Sequence, residues 1–290
     1  MAASSASSLR NSPSPDVLIV GAGIIGLSCA EALSRSGLRV EMWERRAAPA
    51  LEASRASAGM LAPLAEVPED RDFFDICRQA RDLWLSFAPR LQEESGLPLD
   101  YDRSGALIAD HPTLGLATLR AAAERGGEPW REIDGREARE WIPDLSPDIP
   151  RWLHLGGEHR VDNRRVCRAL IARLRARGVI LRTEHPLRGL RRDGGAAWTA
   201  RGPRQTARAA HVILASGAWS RGEGTSPISG LPELPVHPVK GQMLRIEPVD
   251  WPFGGCLRCG RVYAARRTAG LDPQSPRGAL LVGATVEPEA

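Results

Sequence analysis

Three glycines near the start of the chain have the spacing of a phosphate-binding turn. Gly21, Gly23 and Gly26 form the pattern G-x-G-x-x-G between an apolar run at residues 16–20 and a helical pattern. In such a turn the first glycine permits a tight bend, the second lets a pyrophosphate approach the backbone, and the third allows close helix–strand packing. The N–H groups at the helix N-terminus also favour phosphate charge. The spacing therefore predicts that the chain binds a dinucleotide.

An acidic residue follows where such sites bind the ribose. Glu44 ends a second apolar run, residues 38–43, at close to the spacing of about 20 residues expected of the ribose-binding acid. Its carboxylate is suited to accept hydrogen bonds from the ribose hydroxyls, and its charge disfavours the 2′-phosphate of NADP. This motif alone leaves NAD and FAD open.

Two further segments consist of small residues that let the backbone pass close to a ligand. The apolar run at 211–215 ends in Ser216 and Gly217, and ligands of open α/β sheets bind at the carboxyl ends of strands. The second segment, EASRASAGMLAP, covers residues 52–63. Either segment alone is compatible with an ordinary turn. Together with the glycine turn they are suited to line one extended cofactor, which disfavours an NAD dehydrogenase.

The elements that must position these segments follow from hydrophobic periodicity. A strand–turn–helix–strand unit over 16–43 predicts a parallel sheet. Helices are predicted at 71–94, 114–125 and 136–141, and a further amphipathic helix ends at Gly178. On the first of these helices a core face is predicted from apolar residues at helical spacing, namely Phe73, Phe74, Cys77, Leu83, Trp84, Phe87 and Leu91. The patterns at 239–248 and 279–287 alternate as strands do.

The composition is typical of a globular protein and argues against a nucleic-acid-binding, membrane-spanning or secreted protein. The 290 residues are 42% hydrophobic and 26% charged, with a net charge of +4 spread along the chain, so no nucleic-acid partner is expected. No apolar run approaches the ~20 residues of a membrane span, and residues 1–15 predict a disordered tail rather than a signal peptide. Five cysteines, an odd number, favour reduced thiols and a cytoplasmic location.

One cysteine pair has a suggestive spacing. Cys256 and Cys259 form C-x-x-C in the stretch CLRC. A structural zinc site needs a second pair of ligands, and a redox pair usually follows a strand of a thioredoxin-like unit. The sequence offers no second pair, so we interpret the spacing as incidental, and no metal site is predicted.

The chain as a whole resembles the FAD-dependent D-amino acid oxidase-type family, and within it the glycine oxidases of thiamine biosynthesis. Seven stretches carry the resemblance in the family's order from about residue 16 to residue 287: VLIVGAGIIGLSCAEAL with VEMWER, EASRASAGMLAP, FFDICRQARDLW, HRVDNRRVCRAL, HVILASGAWS, PVKGQML, and VYAARR with LLVGATVE. The resemblance implies an α/β (α+β overall) fold, in which a Rossmann-like FAD-binding domain interleaves with a mixed or antiparallel-sheet substrate domain. The expected bounds are 16–90 and 155–225 for the FAD-binding domain, and 91–154 and 226–290 for the substrate domain.

The resemblance also implies the residues of the site. Those expected to bind FAD are Gly21, Gly23, Ile24, Ile25, Gly26, Glu44, Arg45, Ala53, Ser54, Ala58, Gly59, Met60, Leu187, Ser216 and Gly217. Leu187 is expected to contact adenine through its backbone. Tyr263 matches a tyrosine that shapes the substrate pocket. Arg267 is a candidate substitute for the arginine with which the family binds the substrate carboxylate.

The implied reaction is the oxidation of glycine or a similar small amino acid to an oxo acid, ammonia and hydrogen peroxide, which supplies thiamine thiazole synthesis. The substrate loses a hydride to the flavin, the imine hydrolyses, and oxygen is the expected electron acceptor. The cofactor carries the difficult step and the protein orients the amino acid. No spacing of His, Ser or carboxylates identifies a catalytic base, so no catalytic residue is predicted.

The chain departs from the family in two places. The family usually has proline before the arginine that matches Arg267, and this chain has Arg266. Family members also continue beyond GATVEPEA into a GLRP-like segment, whose arginine binds the substrate carboxylate, and a GHxRNG-like helix start. We therefore expect a substrate domain that is incomplete at its C-terminus, weak FAD binding, and oxidation of glycine that is poor or absent.

Several alternatives stay open at this stage. One is a D-amino acid dehydrogenase or a sarcosine oxidase-like flavoenzyme, and another is a non-catalytic nucleotide-binding remnant. The sequence also leaves open the preferred amine, oxygen or a quinone as the acceptor, and the oligomeric state, a homo-oligomer included.

Overall fold

The computed structural model describes residues 14–66, 70–192, 197–220, 234–247, 250–268 and 278–288. The helices are α1 (Ile24–Arg35), α2 (Ala53–Ala56), α3 (Pro63–Glu66), α4 (Arg71–Ser95), α5 (Leu116–Gly126), α6 (Gly135–Trp141) and α7 (Asn163–Ala176), with a 3-10 turn at Gly217–Trp219. The strands are β1 (Val17–Val20), β2 (Val40–Trp43), β3 (Met60–Leu61), β4 (Ala106–Ala109), β5 (Trp130–Asp134), β6 (Arg151–Leu155), β7 (His159–Arg160), β8 (Ile180–Arg182), β9 (Gly189–Arg192), β10 (Trp198–Arg201), β11 (Thr206–Ala209), β12 (His211–Leu214), β13 (Met243–Ile246), β14 (Cys256–Cys259), β15 (Val262–Arg267) and β16 (Ala279–Gly283).

The chain divides into two units, each built from two separate stretches. Unit 1 comprises Met1–Pro49 and Leu174–Val236, and unit 2 comprises Ala50–Arg173 and His237–Ala290. The bounds of unit 1 differ from the 16–90 and 155–225 predicted for the FAD-binding domain, because residues 50–90 and 155–173 pack within unit 2. Most of the predicted tail, residues 1–13, lies outside the described residues.

Unit 1 contains a parallel sheet with strand order β12-β1-β2-β8. The central strand β1 is buried at all four residues, as its continuous apolar sequence VLIV requires. A second, antiparallel sheet has the order β11-β10-β9. Their apolar side chains meet in one core cluster, which includes Leu18, Trp43 and Leu190.

Local signals define the helix that follows the glycine turn. Helix α1 ends at a Schellman motif, in which Gly37 has a φ of +83°. Its N–H donates to the Ser34 carbonyl at 3.2 Å, and the Leu38 N–H donates to the Leu33 carbonyl at 3.3 Å. The predicted strand–turn–helix–strand unit is confirmed, with β2 beginning at Val40 rather than at residue 38.

Unit 2 contains a seven-stranded mixed sheet with the order β13-β16-β15-β14-β4-β6-β5. Only the β14–β4 pairing in this sheet is parallel; the others are antiparallel. Its two faces carry separate apolar clusters, one around Ile108, Cys256 and Leu281 and the other around Leu107 and Trp152. A short antiparallel pair, β3 with β7, also belongs to this unit.

The long helix of unit 2 corrects a predicted core face. Helix α4 begins after Asp70, whose side chain accepts the Phe73 N–H, and ends at Gly96 with a φ of +67°. Phe74 and Leu91 are buried as predicted, but Phe73 and Leu83 are 50% and 68% exposed. The predicted core face was therefore wrong at Phe73 and Leu83, which lie outside the buried side of the helix.

The cysteine pair lies within a strand. Residues three apart in a strand point to opposite faces, and Cys256 and Cys259 accordingly belong to different core clusters. This geometry agrees with an incidental pair. Among the described residues, no group of three or more His, Cys, Asp or Glu side chains is arranged to hold a metal ion. No helix in that same part of the chain has the length and apolar character needed to cross a membrane.

Candidate functional site

The glycine turn of unit 1 is held between two strand ends. Gly21 has a φ of +101°, and a Cβ there would overlap the Ala215 carbonyl that follows β12. Its N–H donates to the Trp43 carbonyl at the end of β2 at 2.7 Å. A Cβ on Gly26 would overlap the Gly21 carbonyl and lie 3.4 Å from Cγ2 of Ile19. Gly21 and Gly26 therefore do what the sequence predicts, which is to bend the chain and bring α1 against the strand.

The start of α1 suits a phosphate group. Gly23 is the N-cap, so no side chain closes the first turn, and that turn contains no acidic residue. Ile25 is 65% exposed within it. Backbone N–H groups and the positive end of the helix dipole are the features that bind phosphate at helix N-termini. The residues present fit the pyrophosphate of a dinucleotide.

Glu44 organises the backbone beside this turn. Its Oε2 accepts the Ala22 N–H at 2.9 Å, and its Oε1 accepts the Arg46 N–H at 2.8 Å. The side chain is buried, with 8% exposure. A carboxylate oxygen has more than one acceptor site, so these bonds leave capacity for hydroxyl donors. Its binding of a ribose stays a prediction, but the structure places Glu44 at the glycine turn.

The small-residue turn after β12 also packs here. The Ala215 N–H donates to the Val20 carbonyl at 2.7 Å, and Ser216 Oγ donates to the same carbonyl at 3.4 Å. Gly217 begins a 3-10 turn with a φ of +56°. Arg45 stacks over Trp219 of this turn, with its guanidinium carbon 3.7 Å from the ring centre. Unit 1 thus brings the predicted residues Gly21, Glu44, Arg45 and Ser216 into one connected region.

Leu187, the predicted adenine contact, lies in the core of unit 1. It is 9% exposed and packs in the same apolar cluster as Trp43. Nearby, His185 donates its backbone N–H to the Glu44 carbonyl at 2.8 Å, and its ring meets Trp43 edge-on. This contact ties the segment that carries Leu187 to the end of β2.

The remaining predicted cofactor residues lie in unit 2, on the segment 53–61. Gly59 has a φ of +80°, and a Cβ there would overlap the Val161 carbonyl. The Val161 N–H donates to the Gly59 carbonyl at 2.9 Å, and Met60 pairs with Arg160 across β3 and β7. The glycine is therefore needed for close contact between two backbone segments.

Side chains bind three backbone carbonyls of this segment, those of Ser54, Arg55 and Ser57. Asn163 Nδ2 donates to the Ser54 carbonyl at 2.5 Å, and Arg164 Nε donates to the Arg55 carbonyl at 3.2 Å. Arg267 Nη2 donates to the Ser57 carbonyl at 3.2 Å and to Asn163 Oδ1 at 2.9 Å. We call these three side chains, Asn163, Arg164 and Arg267, the carbonyl-binding group.

Arg267 is thus engaged in a different way from the predicted one. It is 3% exposed and donates to the Ser57 carbonyl and to Asn163 Oδ1, both in unit 2. A guanidinium in that position stabilises the segment 53–61. Its contact with a substrate carboxylate stays a prediction that the geometry does not favour.

Tyr263 and Met60 pack against the same core cluster of unit 2, to which Ala58 also belongs. The Tyr263 hydroxyl donates to the sulfur of Met243 at 3.5 Å, and a Cβ on Gly283 would overlap that hydroxyl. Burial raises the pKa of Tyr263, Glu66 raises it further and Arg258 lowers it. The tyrosine therefore stays protonated as a donor.

Four residues of this region were not predicted from the sequence: Asn163, Arg164, Arg258 and Glu158. Asn163 begins α7 directly after Asp162, whose carboxylate accepts the Arg164 and Arg165 N–H groups, so the usable signal is the aspartate before the helical pattern. Arg258 lies opposite Tyr263 only through strand register. Glu158 is 1% exposed and accepts the Leu64 N–H at 2.9 Å, and burial raises its pKa to about 8.

A groove of about 550 Å³ on unit 2 lies elsewhere. It is lined by Asp110, Gly115, Leu116, Ala117, Arg120, Glu132, Ile133, Asp134, Pro150, Arg151 and Trp152. None of the predicted site residues lines it. Its arginines are engaged with acids, because Arg151 pairs with Asp110 at 2.5 Å and Arg120 with Glu132 at 2.9 Å.

Comparisons with known proteins give the same picture over nearly the whole chain. A family model described as FAD dependent oxidoreductase (DAO) matches residues 16–290. The glycine oxidase of Pseudomonas aeruginosa is 33% identical over 275 residues, which cover 93% of this chain and 71% of that protein.

Solved structures share the fold. The crystal structure of glycine oxidase from Geobacillus kaustophilus superposes with a TM-score of 0.81 at 23% identity, covering 95% of this chain and 73% of that chain. Iminodiacetate oxidase from Chelativorans sp. BNC1 gives a TM-score of 0.76 at 26% identity, covering 94% and 72%. The predicted α/β fold with parallel and mixed sheets is confirmed. Since the family model spans residues 16–290 and unit 1 fits the pyrophosphate of its cofactor, the chain belongs to the DAO family of FAD-dependent oxidoreductases, and its cofactor is FAD.

Proposed function

We propose that this enzyme is an FAD-dependent amino acid oxidase that acts on glycine or a similarly small amino acid. The observation that carries the proposal is the common cluster of Ala58, Met60 and Tyr263 on one face of the unit 2 sheet. The family resemblance assigns the first two to the flavin and the third to the substrate. The 33% identity to a glycine oxidase supports the same substrate class.

In this proposal the protein's residues bind and orient, and they carry out no proton chemistry of their own. FAD, when bound, supplies the acceptor for the hydride that leaves the substrate α-carbon. Unit 1 binds the ADP part through the glycine turn and Glu44. The carbonyl-binding group holds the segment 53–61 in place, and Tyr263 borders the amino acid. The imine that leaves hydrolyses in water to an oxo acid and ammonia.

Other parts of the proposal rest on the sequence and on its resemblance to the family. They are oxygen as the electron acceptor, with hydrogen peroxide as its product, a supply of thiamine thiazole synthesis, a cytoplasmic setting and a homo-oligomeric state. The assignment of FAD binding to Gly21, Glu44 and the other predicted residues is also a proposal, which the glycine spacing, the family resemblance and, for Gly21 and Glu44, the contacts at the glycine turn support.

The test combines cofactor binding with substrate oxidation. The purified chain is titrated with FAD, and bound flavin is measured by its absorbance. Peroxide release and oxygen uptake are then followed with glycine, sarcosine and D-alanine in the presence of excess FAD. The proposed function predicts saturable flavin binding and glycine-dependent peroxide. The dissociation constant of FAD and the rate of peroxide release also test the weak binding and poor oxidation predicted from the sequence.

The outcomes separate the alternatives. A preference for sarcosine or D-alanine would replace glycine as the substrate. Substrate-dependent reduction of an artificial dye without oxygen uptake would indicate a dehydrogenase. Flavin binding without reduction by any of the three amines would overturn the proposed reaction, and the absence of flavin binding would overturn the site.

A further inference from the structure

Arg258 lies directly opposite Tyr263 in the ladder between β14 and β15. Residues that face each other across an antiparallel ladder point to the same face of the sheet. The neighbouring pair on that face, Cys256 with Ala265, belongs to the cluster against which Tyr263 and Met60 pack. The guanidinium therefore lies on the face that the proposed function assigns to the substrate.

The hydrogen bonds of Arg258 leave one edge of its guanidinium available. Its Nε donates to the Gly260 carbonyl at 3.1 Å, and its Nη1 donates to the Ala65 carbonyl and to Glu66 Oε1, each at 2.7 Å. Nη2 has no hydrogen-bond partner among the described residues. The side chain is only 16% exposed. A guanidinium bound at two of its three nitrogens is held in a fixed orientation, which suits it for binding a carboxylate.

Glu66 is a partner that a ligand can replace. Its side chain is 49% exposed at the end of α3, and ion pairs with exposed carboxylates contribute little free energy. A substrate carboxylate on this face would accept from Nη2 and compete with Glu66 for Nη1, in the bidentate geometry that arginine favours. The Tyr263 hydroxyl, whose acceptor is the weak sulfur of Met243, is available as a second donor on the same face.

Other arginines near this face are engaged differently. Arg267 is buried and donates to Ser57 and Asn163. Arg245 of the edge strand β13 forms an ion pair with Glu247. Arg266, three residues after Tyr263 in β15, points to the opposite face and donates to the Trp251 carbonyl at 3.3 Å.

We propose that Arg258, rather than Arg267, binds a carboxylate of the substrate, as a specificity-determining residue of the proposed amino acid oxidase. The inference rests on the proposed function, because that function identifies the bound carboxylate as part of a substrate. The ligand chemistry is a carboxylate, which is either the α-carboxylate of the amino acid or a second acidic group.

The test measures binding of carboxylates that cannot be oxidised. Glycolate carries one carboxylate, diglycolate carries two, and glycolamide is a neutral control. Dissociation constants are measured by calorimetry for the FAD-loaded wild type and for Arg258→Met, Arg258→Lys and Arg261→Met. Arg261 lies exposed in the turn of the same hairpin, so its variant removes an equal charge without touching the proposed site.

We expect Arg258→Met to raise the dissociation constant of a carboxylate by about tenfold or more, since a charged hydrogen bond is lost. Arg258→Lys should recover part of the binding, and Arg261→Met and the glycolamide data should show no change. An effect on glycolate identifies the α-carboxylate, whereas an effect on diglycolate alone identifies a second acidic group. The inference would be overturned if Arg258→Met bound both acids with the dissociation constants of the wild type. It would also be overturned if the wild type bound neither acid.

A second variant covers the case in which Arg258→Met does not fold. Glu66→Gln removes the competing carboxylate, and we expect it to bind glycolate or diglycolate more tightly than the wild type does. Unchanged or weaker binding would count against the inference. Arg258-dependent binding without oxidation of any amine would contradict only the proposed function, while oxidation with an unchanged KM in Arg258→Met would contradict only the inference.

Discussion

The Ala215 carbonyl occupies the space in which a Cβ of Gly21 would lie. Gly21 follows β1 and Ala215 follows β12, and these two strands pair in parallel. The contact therefore joins the carboxyl ends of two neighbouring strands. The φ of +101° at Gly21 is a second, independent requirement for glycine. The predicted phosphate turn is therefore built by two chain segments that lie almost 200 residues apart in the sequence.

Gly21→Ala tests this contact. We expect a loss of folding free energy greater than the roughly 1–2 kcal/mol of left-handed strain alone, because the carbonyl must also move. We also expect weaker FAD binding. Gly37→Ala is the matched control, since Gly37 has a φ of +83° but no neighbour within 4 Å of an added Cβ. Equal effects of the two variants in urea denaturation would show that the contact with Ala215 is unimportant.

Glu44→Gln tests the carboxylate beside the glycine turn. Both oxygens of Glu44 accept backbone N–H groups, one from Ala22 and one from Arg46. In glutamine an NH₂ group would replace one of these oxygens, so one of the two N–H groups would lose its acceptor. We expect about 1–3 kcal/mol of destabilisation and an FAD dissociation constant raised about tenfold or more. Chemical denaturation and flavin titration measure the two effects. The exposed Glu140 on α6 provides a control, and Glu140→Gln should change neither quantity.

The bond between Arg267 and Asn163 is tested by a double-mutant cycle. Asn163→Ala and Arg267→Met each remove a donor to a carbonyl of the segment 53–61, and the pair shares one direct hydrogen bond at 2.9 Å. We expect a coupling of about 0.5–3 kcal/mol in the free energy of unfolding, with faster proteolysis in the segment. The exposed Arg168 of the same helix supplies the control Arg168→Met. Strictly additive losses would mean that Arg267 and Asn163 act independently.

Glu158 makes the folding free energy depend on pH. Burial raises the pKa of its carboxyl from 4.5 to about 8, although the Leu64 N–H and Arg81 oppose the change. Between these values the folded chain keeps a proton that the unfolded chain has lost, so stability falls as pH rises from 4.5 towards about 8. Glu158→Gln should remove this contribution. Denaturation across that range checks it, and parallel curves for the two proteins would contradict the prediction.

Much of the fold was predictable because its signals are local. Helix α4 was expected over 71–94 and is found at Arg71–Ser95, since Asp70 caps its start and Gly96 ends it. The exposure of Phe73 and Leu83 on that helix was not predictable, because periodicity shows that apolar residues share a helix but not which of them meets a partner. The same limit applies to the boundary near residue 50, which depends on contacts between distant stretches.

The sequence by itself determined the dinucleotide motif, since Gly21, Gly26 and Glu44 act through local backbone geometry at a fixed spacing. It also determined the family, through ordered stretches along residues 16–290. Only the tertiary structure decided that Arg267 turns inward to bind the Ser57 carbonyl and that Arg258 faces Tyr263. The direction of an arginine depends on strand register and on which carbonyls lie nearby, and both are set by residues far away in the chain.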